Sequence, residues 1–414
     1  MASHPPEFRL TAGEKLQVFL LSLTIIPFIL VVFVRWGGGQ PALVALVAGL
    51  AIVAAAYFLS WATESLETVV SQTLALAVLA LIQVLPEYSF EVVLAWGRHL
   101  ELAAATMTGA NRLLLGLGWP AIFFMALLGS RRRNKTFTVV ELDRHQAVEI
   151  VFLLLAALYS LIIVAKASLT LLDAAVLVAI YVAYVFAALR LPRPEDSEER
   201  AEGIAAKIAL TRGGRKVAIV SALFAFGAFV ILFGAEPFID SLLHVAVSLG
   251  LSEYLFVQWV APFLSEFPES LTAFIWAYSV AKAPMGLANL VSSKLNQWTL
   301  LIATIPVAYS LSVGHLAPIP LNPLQVEEIL LTAAQTFFGI AALLDLRFGW
   351  RQASVLLVLF LVQFVYPPTH IPITIIFLVL AAAEVYMKRH NLVLFREFGQ
   401  ALFPLYSRPD RKRE

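Results

Sequence analysis

A Pro-Glu pair stands twice in the middle of a long apolar stretch. It appears as Pro86-Glu87 in Gln83-Val84-Leu85-Pro86-Glu87-Tyr88-Ser89 and as Pro268-Glu269 in Ser265-Glu266-Phe267-Pro268-Glu269-Ser270. A proline inside a helix removes a backbone hydrogen bond, and a carboxylate at bilayer depth costs several kcal/mol. Two such pairs in similar settings mark a site, and they point to an internal duplication. The chain must fold so that both helix breaks are built in and both carboxylates find polar company.

The surroundings of the pairs identify the solvent. Of 414 residues 60% are hydrophobic and 14% charged, and nearly all the charge lies in short segments between apolar runs. Those runs are about twenty residues long, enough to span a hydrocarbon core of ~30 Å. The expected fold class is therefore an all-α polytopic membrane protein. A formal net charge of +1 argues against nucleic acid as a partner, and the absence of cysteine excludes disulfides, thiolate metal sites and cysteine nucleophiles. The first run, Leu16 to Trp36, is too long for a signal-peptide core and ends in Arg35-Trp36-Gly37 rather than a small-residue cleavage site, so it reads as a span.

Apolar runs and their breaks predict twelve spans: Leu16–Trp36, Pro41–Ala62, Gln72–Gly97, Leu102–Leu128, Ala147–Ala165, Leu171–Leu189, Val217–Ala235, Gly250–Tyr278, Met285–Leu311, Val326–Leu344, Gln352–Tyr366 and Ile371–Tyr386. With the N-terminus inside, the basic segment Gly129 to His145, the linker Pro192 to Lys216 and the tail from Lys388 all fall on the cytoplasmic side, as the positive-inside rule requires. The expected setting is the cell membrane with both termini cytoplasmic and the loop Glu236 to Leu249 outside. The linker is of mixed charge and reads as a solvated connector or a short surface helix. It divides the chain into residues 1–40 (tail and extra span), 41–190 (first half), 191–216 (linker), 217–368 (second half) and 369–414 (extra span and basic tail).

Five spans in each half correspond, with an odd number between repeat starts, so the second set enters from the opposite side. An inverted repeat with interrupted helices at matching positions is the pattern of an alternating-access transporter with its site at the midplane. The local chemistry suits a cation. Pro86 has no N–H for the carbonyl of Ile82, nor Pro268 for that of Leu264, so each break frees a carbonyl beside a carboxylate. Calcium or sodium takes such hard oxygens, and Glu87, Glu269 and Glu266 with Ser265, Ser270, Gln83 and Ser89 supply them.

Here the chain resembles the sodium/calcium exchangers of the calcium/cation antiporter superfamily. The matching segments are Ile82 to Glu87 with Thr108-Gly109-Ala110-Asn111, and Leu264 to Glu269 with Ala288 to Ser293, within a likeness running from Pro41 to Tyr366. The resemblance implies ligand positions at Gln83, Val84 and Glu87, at Ala110 and Leu114, at Ser265, Glu266 and Glu269, and at Ser293 and Gln297. Val84, Ala110 and Leu114 have no ligating side chain, and Glu266 stands where the family has serine. The implied metal-ligating set is thus Glu87, Glu269, Glu266, Ser265, Ser293, Gln297 and Gln83, positioned by Pro86 and Pro268. The implied activity is secondary antiport of Ca2+ or Na+ against H+ or Na+, with the transported ion and the bilayer as partners, no cofactor and no enzymatic reaction. The loss of hydroxyl ligands tilts the reading toward proton coupling.

Arg112 and Lys294 lie in the helices after the two breaks, roughly 12–15 Å from one face at 1.5 Å per residue. A cation at that depth is expected to pair with a carboxylate or face the cavity, either as a structural bridge or as a resident charge in the site. Glu91, one turn after Glu87, reads either as Arg112's partner or as a proton-relay group. Glu327, Glu328, Asp173 and Asp345 sit near helix ends and are expected to be exposed and structural. The histidines lack metal-ligand spacing. Two other readings stay open: the same fold carrying another substrate, with Arg112 and Lys294 binding an anion, and an intramembrane enzyme using Glu87 and Glu269 as an acid/base pair.

Overall fold

The computed structural model describes residues 10–34, 40–192, 203–211, 213–248 and 266–402, with residues 250 and 263 between the last two segments. Among these the first half forms α1 (Ala12–Ser22), α2 (Ile25–Val34), α3 (Pro41–Leu66), α4 (Gln72–Gln83), α5 (Leu85–Trp96), α6 (Leu100–Leu113), α7 (Trp119–Arg132), α8 (Ala147–Lys166) and α9 (Leu171–Ala188). The remainder forms α10 (Gly203–Ala209), α11 (Gly214–Ser248), α12 (Phe267–Tyr278), α13 (Ala283–Asn296), α14 (Ile302–Val313), α15 (Pro323–Ala342), α16 (Trp350–Val365), α17 (His370–Lys388) and α18 (Val393–Leu402). Seven helices among the described residues are long and apolar enough to cross a membrane, and Gln72–Gln83 and Trp350–Val365 are shorter apolar helices.

Several spans differ from expectation. The run Leu16 to Trp36 is divided by a turn at Leu23 and Thr24. The span expected at Val217–Ala235 extends as one helix through Pro237 to Ser248, so residues 236–248 are helical rather than a loop. Neighbouring helices and small backbone adjustments accommodate a proline of this kind in membrane helices. Part of the linker is the helix α10, whose Ile204, Ala205, Ile208 and Ala209 are buried.

The long helices α3 and α11 pack closely along each other. Ala48, Ala51, Ile52 and Ala55 of α3 form a buried cluster with Val230 and Phe238 of α11. Gly227 lies so near Leu59 that a Cβ there would sit 2.5 Å from its side chain. Small residues let the two backbones approach, which is how dispersion replaces the hydrophobic effect between helices in lipid.

The two halves share local details. The helices α5 and α12 each have 12 residues and a proline in the first turn. The turns that follow them both contain a non-glycine residue at positive φ, Arg98 at 62° and Val280 at 69°. For β-branched Val280 this conformation is costly and must be held by its surroundings. Next, α6 and α13 each run for 14 residues into a five-residue π turn, Leu114–Gly118 and Gln297–Leu301, and continue as α7 and α14.

Four short strands tie the halves together. Strand β1 (Val139–Glu141), ahead of α8, pairs antiparallel with β4 (Arg347–Gly349), ahead of α16; Val140 faces Phe348. Strand β2 (Ser168–Leu169), after α8, pairs with β3 (Ile319–Pro320), ahead of α15. The start of α8 therefore lies with the end of α15, and the end of α8 with the start of α15, so these two helices run in opposite directions.

Candidate functional site

The first proline break is a helix restart, and the second proline stands in the first turn of a helix. Helix α4 closes at Gln83, with Val84 N donating to Ala80 O at 3.1 Å, and α5 begins at Leu85 with Pro86 in its first turn, where a missing N–H breaks no internal bond. Glu87 occupies the same turn, at the positive end of the helix dipole, a favourable place for a carboxylate. Helix α12 repeats the arrangement with Pro268 and Glu269 in its first turn and Glu266 just ahead of it, whose carbonyl accepts from Ser270 N at 2.9 Å.

Glu87, Glu266 and Glu269 are all buried, at 2%, 2% and 0% exposure. One side chain links two of them. Gln297, first residue of the second π turn, donates its Nε2 to Glu87 Oε2 at 3.0 Å and to Glu266 Oε1 at 3.4 Å. A carboxylate from each half thus shares one amide. Glu269 is placed differently: among the described residues neither of its oxygens makes a hydrogen bond of ordinary geometry, although the Ser293 hydroxyl beside it, itself without such a bond, is near enough to act on it. Gln83 joins the halves a third way, donating Nε2 to Thr272 Oγ1 at 2.9 Å and accepting at Oε1 from Asn289 Nδ2 at 3.2 Å.

Buried polar atoms are ordinarily satisfied. Here Glu87 Oε1, both Glu269 oxygens, Ser293 Oγ, Asn289 Oδ1 and Gln297 Oε1 are buried without a partner among the described residues. All are oxygens, the donor type that a hard cation takes. No three His, Asp or Glu side chains among the described residues gather tightly enough to hold a metal ion by themselves. A cation here would bind through two carboxylates and neutral oxygens, or after the carboxylates draw together. Ser265 lies outside the described residues. Pro86 and Pro268 act through the backbone as described.

The two buried cations depart from expectation. Arg112, fully buried, pairs with Glu328 and not with Glu91: Nη2 lies 3.4 Å from Glu328 Oε1, and Thr108 Oγ1 donates to Glu328 Oε2 at 3.1 Å. Glu328, expected to be exposed, is 4% exposed, because α15 enters the bundle one turn earlier than the hydropathy break suggests. Asp173 is likewise buried, in a capping box with Thr170 and an ion pair with Lys166. Lys294 donates to the backbone carbonyl of Asn111 and lies 5.9 Å from the Trp298 ring centroid. Among the described residues no ion pair joins it to Glu266 or Glu269, although the Glu266 charge is near enough to act on it. Glu91 is buried, with Oε2 unsatisfied.

Sequence reasoning left out Thr272, Asn289 and the Tyr88–Asn296 pair, in which the Tyr88 hydroxyl donates to Asn296 Oδ1. Thr272 was within reach of a helical-face argument, since it stands one turn after Glu269. An apolar cavity lined by Met107, Ile163, Trp298, Ile305 and Ile329 involves none of the proposed ligands.

The sequence pattern of the sodium/calcium exchanger protein family matches residues 40–190 and 219–367, which together make up most of the chain. Among solved structures, the H+/Ca2+ exchanger CAX is similar at 36% identity over 96% of this chain and 99% of its own, with a TM-score of 0.81. The sodium-calcium exchanger NCX_Mj, soaked with 100 mM Na+ and 10 mM Sr2+, shares the fold at 16% identity over 78% of this chain and 97% of its own, with a TM-score of 0.59. A comparison with curated proteins gives no match. The protein is an integral, multi-pass membrane transporter rather than an enzyme, and it belongs to the sodium/calcium exchanger protein family.

Proposed function

We propose that the protein is a secondary antiporter that exchanges Ca2+ for H+ by alternating access, through a midplane site formed by Glu87, Glu266, Glu269, Ser293, Gln297 and Gln83, with Ser265 as a further ligand. The observation that carries this reading is the sharing of the Gln297 amide by Glu87 of the first half and Glu266 of the second. Three buried carboxylates in a site poor in hydroxyls suit one divalent cation or the protons that replace it. The likeness to the H+/Ca2+ exchanger CAX supports the same couple. Arg112, engaged with Glu328, and Lys294, turned to a carbonyl, lend nothing to an anion site.

The halves are read as an inverted repeat of five spans each, residues 41–190 and 217–368, with one extra span at either end and twelve in all. Supporting this are the matched 12- and 14-residue helices, the matched π turns and the opposed directions of α8 and α15. Both termini and the linker are assigned to the cytoplasm, and the protein to the cell membrane. Proteoliposomes test the couple: calcium uptake should follow an imposed pH gradient and release protons, and uptake that follows only a sodium gradient would refute proton coupling.

A further inference from the structure

Another buried carboxylate lies outside the site, and hydrogen bonds lead from it toward the site. Glu149 in the first turn of α8 is 0% exposed, and its Oε2 accepts from the Tyr184 hydroxyl at 3.2 Å. The same hydroxyl lies 3.3 Å from Ser292 Oγ on α13 and 3.4 Å from the carbonyl of Thr73. Ser292 is the chain neighbour of Ser293, whose unsatisfied Oγ stands beside Glu269. In the other direction, one turn back along the chain, buried Gln146 at the start of α8 donates to Gln72 at 3.1 Å, and His145 beyond it is half-buried on the segment assigned to the cytoplasm. Glu149 Oε1, Gln146 Oε1 and Thr73 Oγ1 are all buried without partners among the described residues.

A carboxyl group at this depth is costly unless it serves a function, and pairing does not explain this one. The titratable groups facing it are Tyr184 and Tyr181 of α9. Charged groups on the other helices packed against α8 are engaged elsewhere: Lys294 of α13 with the carbonyl of Asn111, Glu328 of α15 with Arg112, Glu327 near His370, and Glu397 of α18 with Arg396 at 2.8 Å. Among the described residues no lysine, arginine or histidine forms an ion pair with Glu149.

We propose that Glu149 and Tyr184 form the proton route between the cytoplasmic face and the central site, separate from the path of the cation. Glu149 takes one proton from the side of Gln146 and becomes neutral. It gives that proton to the Tyr184 oxygen as Tyr184 passes its own to Ser292; Ser292 passes its proton on to Ser293, directly after rotation of the hydroxyls or through a bridging water, and Ser293 passes its own to the Glu269 carboxylate beside it. Each relay hydroxyl ends as it began, Glu149 is a carboxylate again, and one proton has moved to Glu269. Tyr184 acts here as a positioning and relay residue.

The proposal rests on the proton-coupled reading, and two transport modes separate their failures. In proteoliposomes, Glu149→Gln should slow pH-driven calcium uptake about tenfold or more, since a positioned proton-transfer group contributes at least that much. It should leave Ca2+/Ca2+ exchange, which moves no net proton, at the wild-type rate. Tyr184→Phe keeps the ring and should show the same split, so it serves if Glu149→Gln fails to fold. Equal loss of both modes would mean a structural role, and unchanged pH-driven uptake would mean that protons travel elsewhere; either result overturns the route. Wild-type protein that takes up calcium on a sodium gradient and not on a pH gradient overturns the route and the coupling together.

Discussion

Lys294 donates its ammonium to the backbone carbonyl of Asn111, and the two residues hold the same place, third from the end of the 14-residue helices that lead into the π turns. The next carbonyl, that of Arg112, accepts from Gln335 at 3.3 Å. Both carbonyls at the entrance to the first π turn are thus met by side chains from the second half. A π turn widens the helix and disturbs its regular bonding, which is a reason for side chains to gather there. Lys294 therefore joins the halves and also places a positive charge close to Glu266.

These two roles predict different outcomes for Lys294→Met. Removing a cation near the carboxylates favours their protonated forms, so protons should compete with calcium over a more alkaline range. The pH profile of transport should move upward by about one unit, the scale of a partly screened neighbouring charge. If the lysine only joins helices, the variant should lose thermal stability and keep the wild-type profile. Flux against pH, with melting in detergent, separates the two.

Glu87→Gln and Glu269→Gln should each lower calcium flux about 100-fold or more while the protein still reaches the membrane at normal levels. The amide preserves volume but removes the charge that a divalent cation needs, and losing one partner of a buried charge set costs ~3–5 kcal/mol. Flux near the wild-type rate in both variants would place the site elsewhere.

Gln297→Leu tests the shared amide. Leu114 stands at the corresponding first position of the other π turn, so leucine is compatible with the backbone there. The substitution leaves Glu87 and Glu266 adjacent with no donor between them, and calcium affinity should fall at least about tenfold, as expected for loss of a hydrogen bond to a charged group. Isothermal titration on the detergent-solubilised protein measures it, and unchanged affinity would remove Gln297 from the site.

Arg112 and Glu328 form a buried pair whose disruption should be felt as stability. Arg112→Met alone leaves Glu328 uncompensated and should cost about 3–5 kcal/mol, whereas the double variant Arg112→Met with Glu328→Leu should recover most of it. Thermal unfolding of the single and double variants reads this coupling, and a double variant no better than the single would show that the pair contributes little.

Glu87, Glu266 and Glu269 stand out in the sequence because a proline-carboxylate break in an apolar run is a local signal, whereas Ser293 and Gln297 rest on the resemblance to the exchanger family alone. The partner of Arg112 does not stand out, because it lies 216 residues away in sequence and only the packing of α6 on α15 brings them together. The nearer Glu91, one turn from the site, was the more economical choice. Lys294 follows the same logic: burial demands a partner, yet sequence does not distinguish a carboxylate from a backbone carbonyl as that partner. In the fold, apolar length was informative about α3, α8 and α9. It failed at α11, where polar residues near Pro237 resemble a loop but continue as helix.

The short sheets make the topology testable. Arg347, on β4, is more than half exposed and pairs with Glu141 of β1, within the basic segment assigned to the cytoplasm. Leu316 is 82% exposed and lies just ahead of β3, at the opposite end of α15. Since the native chain has no cysteine, one introduced thiol reports one position. In intact cells an impermeant thiol reagent should label Leu316→Cys and spare Arg347→Cys, and permeabilisation should expose Arg347→Cys. If both positions were labelled from outside, α15 could not cross the membrane between them, and the inverted relation of the halves would have to be abandoned.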